Sequence, residues 1–124
     1  MSFVAIDHVQ VAIPRGSEGQ ARAFYVPILG LREIEKPEAL KPRGGLWLNA
    51  GTHELHLGVE QDFQPARKAH PAFRVDDYDP LVERLAKSGA TVKPADPDDI
   101  PGRRRFFASD PFGNRLEFIE AKDA

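Results

Sequence analysis

The stretches "DHVQVAI" (7–13) and "AHPAFRV" (69–75) decide the fold, because the same pattern occurs once in each half of the chain. Each has a histidine at its second position and then alternates apolar and polar residues, as a half-buried strand does. Each is followed by a helical pattern that ends at a glycine, Gly30 or Gly89, and then by three short strands. The sequence therefore predicts two copies of a βαβββ unit.

The first copy covers residues 3–60. Its opening strand is predicted over 3–13, and its helix runs from a capping box at Ser17 and Gln20 to about Gly30. Three further strands are predicted at 31–35, 46–51 and 53–60, with a proline-containing loop over 36–45.

The second copy covers residues 69–121. A strand over 70–75 is followed by a helix with Asp79 as its cap and Pro80 as its first residue. Strands then follow at 90–94, 104–109 and 115–121, the last two joined by a turn at 110–113. We expect a single α+β domain over 1–124, in which the paired modules form one cupped mixed sheet with the helices on its convex face.

Composition excludes several classes of function. The 124 residues carry a net charge of −2, so bulk charge does not indicate a nucleic-acid partner. Cysteine is absent, which excludes disulfides, thiolate metal sites and cysteine nucleophiles. No apolar run reaches the ~20 residues of a membrane span, and the start of the chain lacks the pattern of a signal peptide. A cytoplasmic protein with no membrane partner is expected.

Four polar residues occupy equivalent strand positions, opposite the apolar face of each strand: His8, His56, His70 and Glu117. A single histidine on the polar face of a strand is usually only solvated. Three imidazoles and a carboxylate at equivalent positions instead favour a divalent transition ion such as Zn, Ni, Co, Mn or Fe. Glu54 shares the face of His56 and is the alternative ligand at that position, whereas His53 has the opposite parity.

The chain resembles the vicinal oxygen chelate superfamily, which includes glyoxalase I, bleomycin- and fosfomycin-resistance proteins and extradiol dioxygenases. The resemblance covers nearly the whole chain, and "DPFGNRLEF" (110–118) is its most specific part. The other matching stretches are "DHVQVAI" (7–13), "ARAFYVPILGL" (21–31), "ELHLGVE" (54–60) and "AHPAFRV" (69–75).

This resemblance implies the same four metal ligands, with Glu117 doubling as the catalytic proton shuttle. It also implies that Trp47, Asn49, Arg105 and Phe107 line the substrate site, with plain core packing the alternative for Trp47 and Phe107. A homodimer is implied as well, with the cup completed by one chain or by two. Glyoxalase I usually has two glutamates among its ligands, but His56 stands at the first of these positions here.

Two functions follow from these residues. The first is a divalent-metal-dependent enzyme acting on a small oxygen-rich substrate, as a glyoxalase-like lyase or isomerase, a thiol transferase or a dioxygenase. The alternative is a metal-free protein that sequesters a small molecule or an antibiotic in the cup. Retention of the metal for structure alone is a third possibility.

Overall fold

The computed structural model describes residues 2–121 and divides the chain into two compact units, Met1–Gln64 and Pro65–Ala124. The first unit contains β1 (His8–Pro14), α1 (Glu18–Tyr25), β2 (Arg32–Ile34), a short 3₁₀ helix (Glu38–Arg43), β3 (Leu46–Ala50) and β4 (His53–Glu60). The second contains β5 (Ala72–Val75), α2 (Tyr78–Lys87), β6 (Val92–Pro94), β7 (Arg105–Ser109) and β8 (Arg115–Glu120). The predicted α+β class and the pair of βαβββ units are confirmed.

The two units have the same strand order. Each unit contains one four-stranded mixed sheet, a hydrogen-bonded ladder ordered β1-β4-β3-β2 in the first unit and β5-β8-β7-β6 in the second. In each ladder the first strand runs parallel to its neighbour and the other pairs are antiparallel. One βαβββ unit therefore places its first and last strands side by side.

One face of each ladder is buried together with the apolar side of its helix. In the second unit the Tyr78 ring of α2 meets Phe106 edge-on at 5.1 Å, and Phe106 stacks on Phe118 at 4.9 Å. Each buried apolar side chain of this size stabilises the fold by roughly 1.5–3 kcal/mol. The buried residues of the first unit are Val11, Ile13, Ala21, Phe24, Tyr25, Leu46, Leu48, Leu55 and Leu57. The opposite faces of the ladders carry the polar side chains predicted to be functional.

The turn that joins β7 and β8 is fixed by a buried carboxylate. Asp110 is 5% exposed, and its Oδ1 accepts hydrogen bonds from the backbone N–H groups of Phe112 and Asn114 at 2.9 and 2.8 Å. The Asn114 amide donates to Asp110 Oδ2 at 2.8 Å. These contacts explain why "DPFGN" is needed here: an Asx side chain satisfies the turn's own N–H groups.

The opening strand is shorter than predicted. It begins at His8 rather than at residue 3, and Phe3, Val4 and Ile6 are exposed. The register explains this difference, because His8 lies opposite Glu54 and β4 itself begins at His53. Residues before His8 therefore run past the end of the neighbouring strand.

The predicted helix caps are wrong in detail. The Ser17 hydroxyl donates to the Pro14 carbonyl instead of capping α1, so the capping box does not form. The helix ends at Tyr25, two residues before Pro27, which has no N–H to continue it.

The second helix begins at Tyr78 rather than after Asp79, so Pro80 is its third residue. Asp77 holds the cap position, but its carboxylate accepts from Arg84 at 3.0 Å instead of from the helix backbone. Pro80 fits there because the N–H groups of the first turn have no intrahelical partner.

The predicted loop over 36–45 contains the 3₁₀ helix and is held at both ends. The Lys36 ammonium donates to the Gly44 carbonyl, and the Gly45 N–H donates to Glu18 Oε2 at 2.9 Å. The first bond joins the two ends of the segment, and the second attaches the segment to Glu18 at the start of α1. Neither of the described α-helices is long and apolar enough to cross a membrane.

Candidate metal and substrate site

The first unit stacks three aromatic rings on its polar face. The antiparallel register of β3 and β4 places Trp47 directly opposite His56. The two rings are nearly parallel, with their centroids 4.0 Å apart. On the other side of His56, the His8 ring stacks at 4.1 Å with an interplanar angle of 18°. His56 is only 5% exposed, so it lies in the middle of a stack.

Each imidazole of this stack has a carboxylate beside it. Glu54 Oε1 lies 2.9 Å from Nε2 of His56, and Asp7 Oδ2 lies 2.9 Å from Nδ1 of His8. A carboxylate next to an imidazole fixes the orientation of the ring and the nitrogen that carries the proton. Glu54, the alternative ligand, thus contacts His56 directly, and the choice between these two residues stays a prediction.

A cavity of about 720 Å³ opens beside the stack within the first unit. Its walls include His8, Trp47 and His56, and also Lys36 and Arg43. The last two belong to the segment predicted as a plain loop, and sequence reasoning did not assign them to a site. The alternation of "KPEALKPRGG" is irregular, so only their charge could have singled them out. Asn49 lies half-buried opposite Glu54 and does not line this cavity.

In the second unit, the backbone and Glu117 orient His70. This residue lies two positions before β5, and its Nδ1 faces the Lys68 carbonyl at 2.9 Å. A carbonyl only accepts, so Nδ1 is the donor in that bond. The other nitrogen, Nε2, lies 2.8 Å from Glu117 Oε1. A backbone carbonyl bonded to one ring nitrogen is a usual partner of a metal-binding histidine, and here the other nitrogen faces Glu117.

Glu117 lies between a histidine and an arginine. Its side chain and that of Arg105 are each 10% exposed, and Arg105 Nε donates to Glu117 Oε2 at 2.8 Å. Burial raises the pKa of Glu117, but hydrogen bonds from Arg105 and His70 together outweigh it and leave the pKa below its ordinary value of 4.5. Glu117 is therefore a carboxylate at neutral pH.

Phe107 forms the apolar part of this cluster. It lies directly opposite Glu117 in the ladder, and the His70 ring meets it edge-on at 5.8 Å. The guanidinium carbons of Arg105 and Arg115 each lie 5.6 Å from its ring centroid. The ring is thus surrounded by cationic and ligand-type side chains rather than packed in the core.

The residues of each unit fit part of a divalent metal site. The Nε2 of His70 and Oε1 of Glu117 are 2.8 Å apart, close to the roughly 3 Å that separates two donors each about 2.0–2.2 Å from one ion. Imidazole and carboxylate are also ligands that transition ions accept. Over residues 2–64 and 65–121 taken separately, neither unit gathers three or more His, Asp or Glu side chains that could hold an ion. Each unit holds one pair of the predicted residues: His8 and His56 in the first, and His70 and Glu117 in the second.

The chain matches a known protein family over most of its length. The model of the Glyoxalase/Bleomycin resistance protein/Dioxygenase superfamily matches residues 5–118. A lactoylglutathione lyase from Salmonella typhimurium is 32% identical over 112 residues, which are 82% of this chain and 83% of that protein.

Solved structures include one that is similar over almost the whole chain. A glyoxalase family protein from Bacillus anthracis is 51% identical, with a TM-score of 0.91 and 98% of each chain covered. A glyoxalase family protein from Enterococcus faecalis is 27% identical, with a TM-score of 0.75 over 97% of this chain and 100% of that one. A fosfomycin resistance protein from Listeria monocytogenes, 16% identical with a TM-score of 0.71 over 98% of this chain and 94% of that one, shares the fold.

Proposed function

Because this chain belongs to the glyoxalase, bleomycin resistance protein and dioxygenase superfamily, we propose that it is a divalent-metal-dependent enzyme acting on a small, oxygen-rich substrate. The reaction is of the lyase or isomerase, thiol transferase or dioxygenase type. The lactoylglutathione lyase among the relatives makes lactoylglutathione the first compound to assay.

The observation that carries this proposal is the matching register of the two ladders. In the first unit the residue two positions after His8 lies opposite His56, and in the second the residue two positions after His70 lies opposite Glu117. An aromatic ring, Trp47 or Phe107, faces His56 or Glu117 from the next strand. Solvated side chains have no reason to keep such a correspondence, whereas ligands of one ion do.

We assign the ion to His8, His56, His70 and Glu117. A bound divalent ion supplies Lewis-acid polarisation of substrate oxygens. Glu117, ionised at neutral pH, combines the roles of ligand and proton acceptor. Trp47 and Phe107 provide apolar walls for the substrate, and Asn49 and Arg105 provide polar contacts.

Metal counting tests this assignment. The full chain is purified without chelator, soaked with Zn²⁺, Ni²⁺, Co²⁺, Mn²⁺ or Fe²⁺, desalted and analysed by inductively coupled plasma mass spectrometry. We expect about one ion per chain in the wild type. In His70→Ala and Glu117→Gln we expect the affinity for the ion to fall by roughly tenfold or more. His53→Ala is the matched control, since His53 is on β4 with the opposite parity. Wild-type protein without an ion, or an equal loss in the control, would overturn the assignment.

A metal-free binding protein is the second candidate, and the cavity of the first unit favours it. This cavity is lined by stacked rings whose imidazoles already have carboxylate partners. In that case His70→Ala and Glu117→Gln would leave the affinity for a hydrophobic ligand unchanged, while Trp47→Ala would reduce it. Equilibrium dialysis with a fluorescent apolar probe separates the two candidates.

We also propose a homodimer, as is common in this superfamily. The exposed apolar side chains of Phe3, Val4 and Ile6 precede β1, which is an edge strand of its ladder, and such a segment is suited to association. Sedimentation equilibrium of the full chain tests the proposal, and a monomer at micromolar concentration would contradict it. The cytoplasmic location expected from the sequence stays a prediction.

A further inference from the structure

Arg105 has a hydrogen-bond donor that the described part of its own chain does not use. Its side chain is 10% exposed, and its Nε is bonded to Glu117. Its Nη1 is buried and has no partner among residues 2–121. Buried polar atoms in native proteins are almost always partnered, and an unmet donor on a charged group is especially costly. This nitrogen therefore points to an acceptor that lies outside residues 2–121.

The surrounding sheet face favours an anion as that acceptor. The ladder register places Arg74, Lys93 and Arg115 on the same face as Arg105. Glu117 is the one carboxylate on this face of the ladder over its described strands, and its two oxygens already accept from Arg105 and His70. The face thus keeps an excess of positive charge, which attracts anions and raises their local concentration.

The chemistry of the guanidinium narrows the ligand further. Arginine presents a planar fork of donors that matches the oxygens of a carboxylate, phosphate or phosphonate. With Nε committed to Glu117, the Nη1 side of the fork remains for such a group. The Phe107 ring, 5.6 Å from both Arg105 and Arg115, provides an apolar wall beside it.

We infer that Arg105 binds an oxyanion group of the substrate, with Glu117 holding the guanidinium in place. This inference rests on the proposed function for the identity of the ligand as a substrate, and it adds the substrate class: a small compound bearing a carboxylate, phosphate or phosphonate. These substrates share one feature: a tetrahedral or planar oxyanion group next to the substrate oxygens that would bind the metal.

Anion titration of the metal-free full chain tests the inference without relying on activity. The three probes are inorganic phosphate, methylphosphonate and acetate. Their binding is measured by isothermal titration calorimetry and by changes in the ¹⁵N resonances of the arginine side chains. We expect the Arg105 Nη signals to shift with at least one probe, and Arg105→Lys to bind that probe roughly 10- to 100-fold more weakly. The probe that binds most tightly distinguishes a carboxylate substrate from a phosphorus-based one.

Arg74→Gln is the matched control, because it removes one positive charge from the same face without touching Glu117. We expect it to change affinity by less than about twofold, since an exposed charge is screened by solvent. Circular dichroism verifies that each variant is folded. If Arg105→Lys does not fold, Arg105→Gln is tested in its place.

An Arg105 that serves only to hold Glu117 would show no shift of its Nη signals and equal anion binding in Arg105→Lys and wild type, and either result overturns the inference. Equal losses in Arg105→Lys and Arg74→Gln overturn it as well, because they indicate general attraction alone. Metal counting is done on the same samples. A chain that binds metal but not anions refutes this inference and leaves the proposed function standing. A chain that binds anions through Arg105 but takes up no metal refutes the proposed function and leaves the anion site standing.

Discussion

The two units share one backbone pattern, but they differ at the position two residues before the ring that faces the candidate ligand. In the first unit this position is Gly45, which precedes Trp47, and in the second it is Arg105, which precedes Phe107. Gly45 has a φ of 86° and lies against the backbone of Leu57. One copy therefore has no side chain at this position, while the other has a buried cation there. A repeated fold can thus carry a tight backbone contact in one copy and a buried ion pair at the equivalent place in the other.

The largest effect is expected from removing the buried ion pair of the second unit. Glu117→Ala leaves the buried Arg105 guanidinium without its carboxylate, and we expect the free energy of unfolding to fall by about 3–5 kcal/mol. Urea denaturation followed by circular dichroism measures it. Glu120→Ala is the control: Glu120 accepts from the more exposed Arg104 at 2.7 Å, and its loss should cost at most about 1 kcal/mol. Similar losses in both variants would contradict a buried pair.

The corresponding substitution in the first unit is Gly45→Ala. A Cβ at this position would collide with the Leu57 carbonyl oxygen, in a backbone conformation that already disfavours side chains. We expect a loss of about 3 kcal/mol in the free energy of unfolding. Gly51→Ala isolates the backbone term, because Gly51 also has positive φ but has open space around it, and it should cost about 1 kcal/mol. Equal losses would show that the close contact does not matter.

Metal loading sharpens the comparison, because the chain's one tryptophan, Trp47, lies in the first unit. An ion at 100 times its dissociation constant should raise the free energy of unfolding by about 2.7 kcal/mol. Cobalt or nickel bound at His8 and His56 should quench Trp47 fluorescence, because the indole stacks on His56. His56→Ala should abolish the quenching, while His53→Ala should keep it. Quenching that survives in His56→Ala would place the ion elsewhere.

The smallest effect concerns pH. The hydrogen bond from the Gly45 N–H, assisted by charge from Lys36 and Arg22, lowers the pKa of Glu18 below its ordinary 4.5. The unfolded chain then binds the proton more readily, so the stability from this contact is present above about pH 4.5 and is lost as the pH falls through the folded pKa.

Glu18→Gln should therefore reduce the free energy of unfolding by about 1 kcal/mol at pH 7 and by less at pH 3. Glu83→Gln, at an exposed pair with Lys87, should show almost no dependence on pH over that range. Unfolding curves at the two pH values test the difference, and parallel losses at both would refute it.

Much of this arrangement is readable from alternation along the strands. The parity of Leu55 and Leu57 correctly predicts a buried apolar face, and the repeat predicts that His56 and Glu117 hold equivalent positions. Both follow from the two-residue period of a strand, which is local and strict. Whether His8, His56, His70 and Glu117 bind one ion stays a prediction.

Other features depend on contacts between distant residues and escaped prediction. Nothing local indicates that Arg105 bonds to Glu117 across a hairpin, or that Glu18 accepts from Gly45 and holds the 3₁₀ segment in place. The capping prediction failed at Ser17 for a related reason: its hydroxyl donates to the nearby Pro14 carbonyl instead of accepting from an N–H group of the first turn. Short polar side chains choose among several nearby partners, and sequence alone does not rank them.

The contrast between Gly45 and Arg105 has an evolutionary consequence. Position 45 accepts no side chain, because the Leu57 carbonyl occupies the place where one would begin. Position 105 lies in an ordinary strand, so its backbone conformation is open to other residues. Descendants of this protein are therefore expected to change their ligand preference by substitution in the second unit. In the first unit, position 45 is expected to stay glycine. A library of variants at position 105 is the natural starting point for altering what the protein recognises.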